Sequence, residues 1–467
     1  FRSEAGFSLS APPQSGARLR PEHEAETSRE LGGLRLARLP AQGLDGIGRA
    51  AEGLEVFADD GPVPLTELAR LGFAELSTTG ERLGLLDAPE LVPHFASAAD
   101  PDQALKLLVS LRESAPHEVD RLLADEDAAG RLIRILGAST GLAEFFSRHP
   151  VELQCLGEPL ARPLTAQQYS ADLLDAVAGL SGDAGWVALR VRYRRHLAQL
   201  TAWDLVQPDP RASLDTVAAA LADLAGAALD ASLALARVDV SFPADQVAAT
   251  RLAIIGMGKA GARELNYVSD VDVIFVGEGS GDLSDDRAVE IATRLAMQTM
   301  RGIHDLASEP GLWEVDANLR PEGKDGALVR TLESHLAYYE RWAKSWEFQA
   351  LLKARPLAGD HELGDRYVAA LAPKVWSSAS RENFVDSVQR MRERVTEHIP
   401  AAEIDVQLKL GPGGLRDVEF TIQLLQLVHG QTDPEVRQFV RGEPDGPVKF
   451  HYPARSVAED YGPRAAA

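Results

Sequence analysis

Two short apolar runs, Leu252–Ile255 (LAII) and Val271–Val276 (VDVIFV), interrupt a chain whose other apolar residues recur at helical spacing. Both are the length of buried strands, and the second is rich in β-branched and aromatic side chains. The stretch between them has room for one or two helical turns at Lys259–Leu265, but it is far too short for the helix of a βαβ crossover. Asp285–Leu306 then reads as a long amphipathic helix and Leu312–Ala317 as a third strand. Strand, short helix, strand, long helix, strand describes a small α/β unit inside a helical chain.

The flanks are predicted to be helical. In Ala104–Glu113, Leu105, Leu108 and Leu111 repeat on one face. Leu65–Leu71, Arg131–Leu136, Leu142–Arg148, Ala171–Leu180, Leu214–Ala236, Glu333–Leu352, Arg381–His398 and Asp417–Val428 follow the same style, with Gly137 and Pro150 read as stops. Trp186–Leu200 has an apolar face and a basic one carrying Arg190, Arg192, Arg194 and Arg195. In an acidic chain that basic face is expected to pair with neighbouring carboxylates rather than with nucleic acid. The divisions expected are a weakly ordered N-terminus at 1–40, a helical domain at 41–245, the α/β unit at 246–360, a helical bundle at 361–435 and an atypical, disordered tail at 436–467. The chain opens on Phe1 instead of Met, as a truncated or processed start would. Its Pro/Gly-rich end reads as a truncation, a frame change or a fragment boundary.

Charge narrows the function. Against 70 Asp and Glu stand 48 Lys and Arg, a formal net charge of -22. That field opposes binding a polyanion over a broad surface, so no nucleic-acid partner is expected. Cys155 is the one cysteine, which excludes disulfide scaffolds and cysteine zinc sites and reads as a buried structural thiol. No stretch is expected to supply the roughly 20 apolar residues of a membrane span, and no apolar signal core opens the chain. A cytoplasmic location and no membrane partner are expected.

The chemistry concentrates in GMGKAGARELNYVSDVDVIFV, residues 256–276. Gly256 and Gly258 follow a strand and open a helical turn, where backbone N–H groups can approach a phosphate closely. Lys259 adds a cation, and Ser269 lies nearby. Asp270 and Asp272, two residues apart at the start of the next strand, share a strand face. Paired carboxylates beside a phosphate cradle suit one or two Mg2+ ions and in-line displacement at phosphorus. Asp316, ending the third strand, can lie beside that pair as a further metal ligand or a proton acceptor. Arg320 follows it as a candidate for neutralising phosphate charge. Singly, each element is ordinary: a Gly-x-Gly is most often a tight turn and an Asp-x-Asp a solvated strand edge. Their combined spacing carries the reading. The glycines Gly256, Gly258 and Gly261 match the dinucleotide-binding spacing, but two acids open the very next strand, and no P-loop ending is present.

These residues resemble the glutamine synthetase adenylyltransferases, bifunctional enzymes that add AMP to glutamine synthetase and remove it. LIRILGASTGLAEFFSRHP (Leu132–Pro150), EVDANLRPEGKDGALV (Glu314–Val329), WEFQALLKARPLAGD (Trp346–Asp360) and GPGGLRDVEFTIQLLQLVHG (Gly411–Gly430) resemble further family blocks in the same order. The resemblance implies an α+β fold, with a small polymerase-beta-like nucleotidyltransferase palm sheet embedded between mostly α-helical domains. ELNYVSDVDVIFV and VDANLRPEG, with Asn318, look more like the AMP-removing half, of the actinobacterial type.

The resemblance implies that phosphate attacks AMP held on a synthetase tyrosine, giving ADP. Mg2+ would be held by Asp270, Asp272 and Asp316, and phosphate oxygens by Gly256, Gly258 and Lys259. Implied partners are glutamine synthetase, ATP, ADP and phosphate, and a PII-type nitrogen-signal protein. Lys353 and Arg355, read as a helical basic pair, are secondary phosphate candidates, with a carboxylate-paired face as the equal alternative. For Asp417 and Glu419 a helix-cap or N-terminal dipole role is favoured over catalysis. Rival readings are adenylylation from ATP, a nucleotidyltransferase for RNA ends or small molecules, an inactive regulatory module and a non-functional fragment.

Overall fold

The computed structural model describes residues 63–439, apart from 160, 306, 398, 401–403 and 405. The expected N-terminal disorder and nearly all of the atypical tail lie outside the described residues. Within them the protein is a mixed α+β structure: a small mixed sheet between two helical layers.

A first group of short helices packs around its own core, apart from the layers on the sheet: α1 (Leu65–Arg70), α2 (Leu76–Leu86), α3 (Val92–Phe95), α4 (Pro101–Ser114), α5 (Pro116–Leu123), α6 (Glu126–Ala138) and α7 (Thr140–Arg148). Side-chain caps fix several starts. Asp100 accepts from Gln103 N–H, Asp125 from Ala128 N–H and Ser139 from Leu142 N–H. Leu105, Leu108 and Leu111 point into one core with Phe95, Leu132, Phe145 and Phe146. Gly137 is read as a stop, and α6 ends one residue beyond it, at Ala138. The glycine lies inside α6, where a β-carbon would stand 2.8 Å from Ala98 Cβ and 3.0 Å from Asp100 O. Close approach of another chain segment requires the glycine there.

Longer helices follow: α8 (Ala166–Val177), α9 (Gly182–Asp204), α10 (Pro210–Asp239) and the short α11 (Ala244–Ala249). All four arginines of α9 are engaged within the protein. Arg192 pairs with Asp172, Arg194 with Glu309 and Arg195 with Glu152. Arg190, 1% exposed, donates to the carbonyls of Gly302, Asp305 and Glu309. The expectation about apolar stretches needs correction at α10, which by length and composition could cross a membrane. Its apolarity has an internal cause: 83% of its most apolar window is buried, and the helix packs on α8, α9 and α13 (Asp285–His304).

The sheet begins with β1 (Thr250–Gly256), α12 (Gly258–Ala262) and β2 (Val271–Gly279); after α13 come β3 (Val315–Asp316) and β4 (Val329–Arg330). Then follow α14 (Leu332–Arg341), α15 (Ser345–Leu351), β5 (Arg355–Gly359), α16 (His361–Trp376), α17 (Phe384–Glu397) and α18 (Leu415–His429). β1 is central, antiparallel to both β2 and β5, while β3 and β4 both pair parallel with β2. Val271, Val273 and Phe275 face the core shared with α10 and α13. Ile274 and Val276 face the opposite core, built with α14 to α18.

Three further expectations change. The third strand is only Val315–Asp316. The helix expected at 333–352 is two, broken where Arg381 donates to Ala343 O at 2.8 Å and Glu347 accepts from Lys344 N–H at 2.9 Å. Lys353 and Arg355 are not a helical pair, because Arg355 opens β5.

Candidate active site

β2 positions two of the acids by its alternation. Asp270 immediately precedes the strand, Asp272 is its second residue, and both lie on the face of Ile274. β3 supplies the third: Asp316 stands opposite Asp272 in the parallel register, and Val271 N–H reaches Glu314 O at 2.9 Å. The three carboxylates offer oxygens that all lie within 4.8 Å of one another. Among the described residues this is the one such cluster of three or more His, Cys, Asp or Glu.

The acids differ in environment. Asp270 is exposed, while Asp272 and Asp316 are half-buried. Burial pushes the Asp272 carboxyl up to about 6, and the charges of Asp270 and Asp316 push it the same way. Asp316 is held by Asn318 N–H at 2.7 Å.

The glycine segment wraps the other side. Met257 N–H donates to Asp272 O at 2.8 Å, extending the β1–β2 ladder one residue. Gly258 has φ +50°, and a β-carbon on it would overlap Asp272 Oδ2. Gly256 is close-packed, with a β-carbon position 3.1 Å from the Leu357 side chain. Lys259 Nζ donates to Asn266 Oδ1 at 3.0 Å and lies 3.8 Å from Asp270 Oδ1. Ser269 Oγ donates to Asp270 O at 2.8 Å. α12 is only five residues long, so its dipole is small.

The structure therefore gathers Asp270, Asp272, Asp316, Gly258, Lys259 and Ser269. Arg320 is engaged elsewhere: its guanidinium donates to the carbonyls of Ala317, Lys324 and Gly326, closing the loop after Asp316. A groove of about 500 Å³, lined in part by Met297, Arg301, His304, Asn318 and Leu328, opens beside Asp316. Sequence reading missed it, since residues from α13 and the 316–328 loop meet only in the fold.

Lys353 and Arg355 have structural partners. Lys353 Nζ bridges Glu264 at 3.1 Å and Glu419 at 2.6 Å. Arg355 donates to the carbonyls of Ala260 and Gly261, capping the far end of α12. Asp417, in the first turn of α18, accepts from Gly413 N–H and pairs with Arg392, while α18 has no side-chain cap at its N-cap, Gly414. Cys155 is buried, and burial pushes its thiol up to about 12.

A family model described as glutamate-ammonia ligase adenylyltransferase matches residues 129–370, just over half of the chain. A second, described as GlnD PII-uridylyltransferase, matches residues 382–443. Among curated proteins, the chain is 63% identical over 394 residues to a "bifunctional glutamine synthetase adenylyltransferase/adenylyl-removing enzyme" of Leifsonia xyli, covering 80% of this chain and 39% of that protein. Proteins of the same name from Streptomyces avermitilis and Mycolicibacterium smegmatis are 50% and 47% identical over 80% and 74% of this chain, and 37% and 35% of their own lengths. The chain thus spans about two fifths of the length of the curated relatives it matches. With a matching model over the whole sheet and the helices from α6 onward that precede it, the chain belongs to the glutamate-ammonia ligase adenylyltransferase family.

Proposed function

We propose that this chain is a Mg2+-dependent nucleotidyltransferase, built on a polymerase-beta-like palm, that removes AMP from a tyrosine of adenylylated glutamine synthetase by phosphorolysis. The observation that carries the reading is the convergence of Asp270, Asp272 and Asp316. The donor set fits the ion: three hard oxygen ligands, one of them with a pKa raised by burial and two like charges, a strain that a dication relieves. Those three residues would hold Mg2+, which when bound supplies Lewis-acid neutralisation of phosphate oxygens.

The chain's own groups position the reaction. Gly258 leaves space against Asp272 that any side chain would fill, and Gly256 keeps the backbone at the site slim. Lys259, beside Asp270, is placed to neutralise a phosphate oxygen, with Ser269 as a neighbouring donor. Arg320 is assigned a positioning role, since it fixes the loop whose Asn318 N–H orients Asp316. An oxygen of inorganic phosphate attacks the AMP phosphorus in line. The phosphorus–oxygen bond to tyrosine breaks, the phenolate takes up a proton, and the products are unmodified tyrosine and ADP.

The acceptor is supported by the names of the relatives, which cover both addition and removal. The direction rests on the likeness of ELNYVSDVDVIFV and VDANLRPEG to the removing half. The second family match supports a PII-type nitrogen-signal protein as a partner of 382–443.

The test incubates the chain with adenylylated synthetase, phosphate and Mg2+ and follows ADP. Asp270→Asn and Asp272→Asn should each release it at least about a hundred-fold more slowly, the order expected when metal charge stabilisation is lost. Wild-type rates in both variants would sink the site assignment. Consumption of ATP with unmodified synthetase, without ADP release from the adenylylated form, would reverse the direction.

A further inference from the structure

The acids of β2 have different neighbours on their two sides. In the sheet β2 lies between β1 and β3. On the β1 side stands the glycine segment, with Gly258 against Asp272 and Lys259 Nζ 3.8 Å from Asp270. On the β3 side stands Asp316, which also lines the groove of about 500 Å³ between α13 and the 316–328 loop. In-line displacement puts the attacking and leaving oxygens on opposite sides of the phosphorus. With the attacking phosphate held at Gly258 and Lys259, the tyrosine oxygen departs towards Asp316 and the groove.

Both walls of the groove are preformed, as in most ligand sites. One wall is a face of α13, on which Met297, Met300, Arg301 and His304 recur at three- and four-residue spacing. That helix is held from behind: Ser232 Oγ donates to Thr299 O at 3.0 Å, and Arg190 donates to Gly302 O and Asp305 O, each at 2.8 Å. The other wall is the loop that Arg320 closes through the carbonyls of Ala317, Lys324 and Gly326.

The lining selects among ligands. Met297, Met300 and Leu328 are half-buried and give an apolar floor, and thioethers pack well on aromatic rings. Arg301 and His304 are exposed beside them and make no ion pair or side-chain hydrogen bond among the described residues. The exposed carboxylates of Asp305 and Glu314 line the same groove. A nucleotide would bring phosphate oxygens that these carboxylates repel. A polypeptide segment brings backbone N–H donors for the carboxylates, carbonyl acceptors for the cations and, at a modified tyrosine, an aromatic ring for the floor.

We propose that this groove receives the tyrosine-bearing segment of the protein substrate, with the ring over Met297, Met300 and Leu328 and a backbone carbonyl on Arg301. The inference rests on the nucleotidyltransferase reading of the site but not on the direction of the reaction. An attacking tyrosine would enter from the side on which a leaving one departs.

The experiment uses the whole chain with Met297→Trp, which narrows the groove, and Arg301→Ala, at an exposed position. ADP release is followed at varied adenylylated synthetase and at varied phosphate. Each variant should raise KM for the synthetase about ten-fold and leave KM for phosphate and the melting temperature unchanged. Lys259→Ala should do the reverse and raise KM for phosphate. If Met297→Trp does not fold, Arg301→Ala decides by itself. An unchanged KM for the synthetase, or a raised KM for phosphate in the groove variants, would overturn the inference. Binding without turnover is measured in parallel, with adenylylated synthetase and, separately, with ADP and saturating Mg2+. Synthetase binding should weaken about ten-fold in both groove variants while ADP binding stays at the wild-type value. Weakened ADP binding would show that the groove holds the nucleoside instead, and a wild type that binds no synthetase would overturn both the groove and the reaction. Groove-dependent synthetase binding in a chain that releases no ADP would sink the proposed reaction and leave the groove assignment standing.

Discussion

Gly258 and Asp272 occupy one space: the carboxylate Oδ2 of Asp272 lies where a β-carbon of residue 258 would be. The glycine also has φ +50°, a left-handed conformation that a side chain disfavours. Two independent constraints therefore require glycine beside one of the two half-buried acids of the cluster. They separate experimentally, because Gly281 has φ +61° with open space around its β-carbon position.

Gly258→Ala should weaken Mg2+ binding at least about ten-fold, because Asp272 must turn away from the cluster to admit the methyl group. Gly281→Ala should cost only the backbone strain, about 1 kcal/mol, and leave Mg2+ affinity unchanged. Calorimetric Mg2+ titrations of both variants test this, and equal affinities in the two would refute it.

Asp272 gives the metal-free protein a pH signature. Its folded pKa, about 6, lies above the ordinary aspartate value of 3.8, so the folded state binds the extra proton. Stability should fall as pH rises from 3.8 through 6 and level off above it. In EDTA at pH 8, Asp272→Asn should therefore melt higher than the wild type, by up to about 3 kcal/mol, with the gap closing below pH 4. Saturating Mg2+ should reverse the order. Melting curves over that range decide it.

Glu309 links the first helical group to the segment leading to Asp316. The residue is 2% exposed and receives Arg148, His149 and Arg194 from α7, its flank and α9. Burial raises its carboxyl, and the hydrogen bonds of Arg148 and His149 with the charges of Arg194 and Arg148 outweigh that and lower it overall. Its stabilisation is thus present above the ordinary glutamate range and lost as pH falls through its depressed folded value. Glu309→Ala, which leaves three basic groups without their acid, should cost about 3 kcal/mol in denaturant unfolding at pH 7. A loss below 1 kcal/mol would show that the pairs carry little.

His335 is buried against the rings of Tyr339 and Tyr367, and burial pushes its pKa down to about 3. The unfolded chain takes up that proton near 6.5, so stability should erode as pH drops from 6.5 towards 3, by about 5 kcal/mol at most. His335→Phe should flatten the acid limb of the stability profile. An unchanged limb would locate the acid sensitivity elsewhere.

Much of the candidate site was legible because it is local. Asp270 and Asp272 share a face through strand alternation alone, and Gly256, Gly258 and Lys259 lie within one strand-to-helix turn. Helix positions were legible for the same reason, since capping residues and apolar periodicity act within a few residues. The failures are all non-local. The break between α14 and α15 depends on Arg381, and β5 becomes a strand because β1 offers it an edge.

The sequence by itself determined the helical layers, the two main strands and the carboxylate pair, since spacing along one chain segment fixes which side chains share a face. Only the tertiary structure decided that Asp316 stands opposite Asp272 and that Arg320 closes its own loop. It likewise decided that Lys353 clamps two acids. Those relations join residues distant in the chain, and they are set by which faces bury together rather than by any local preference.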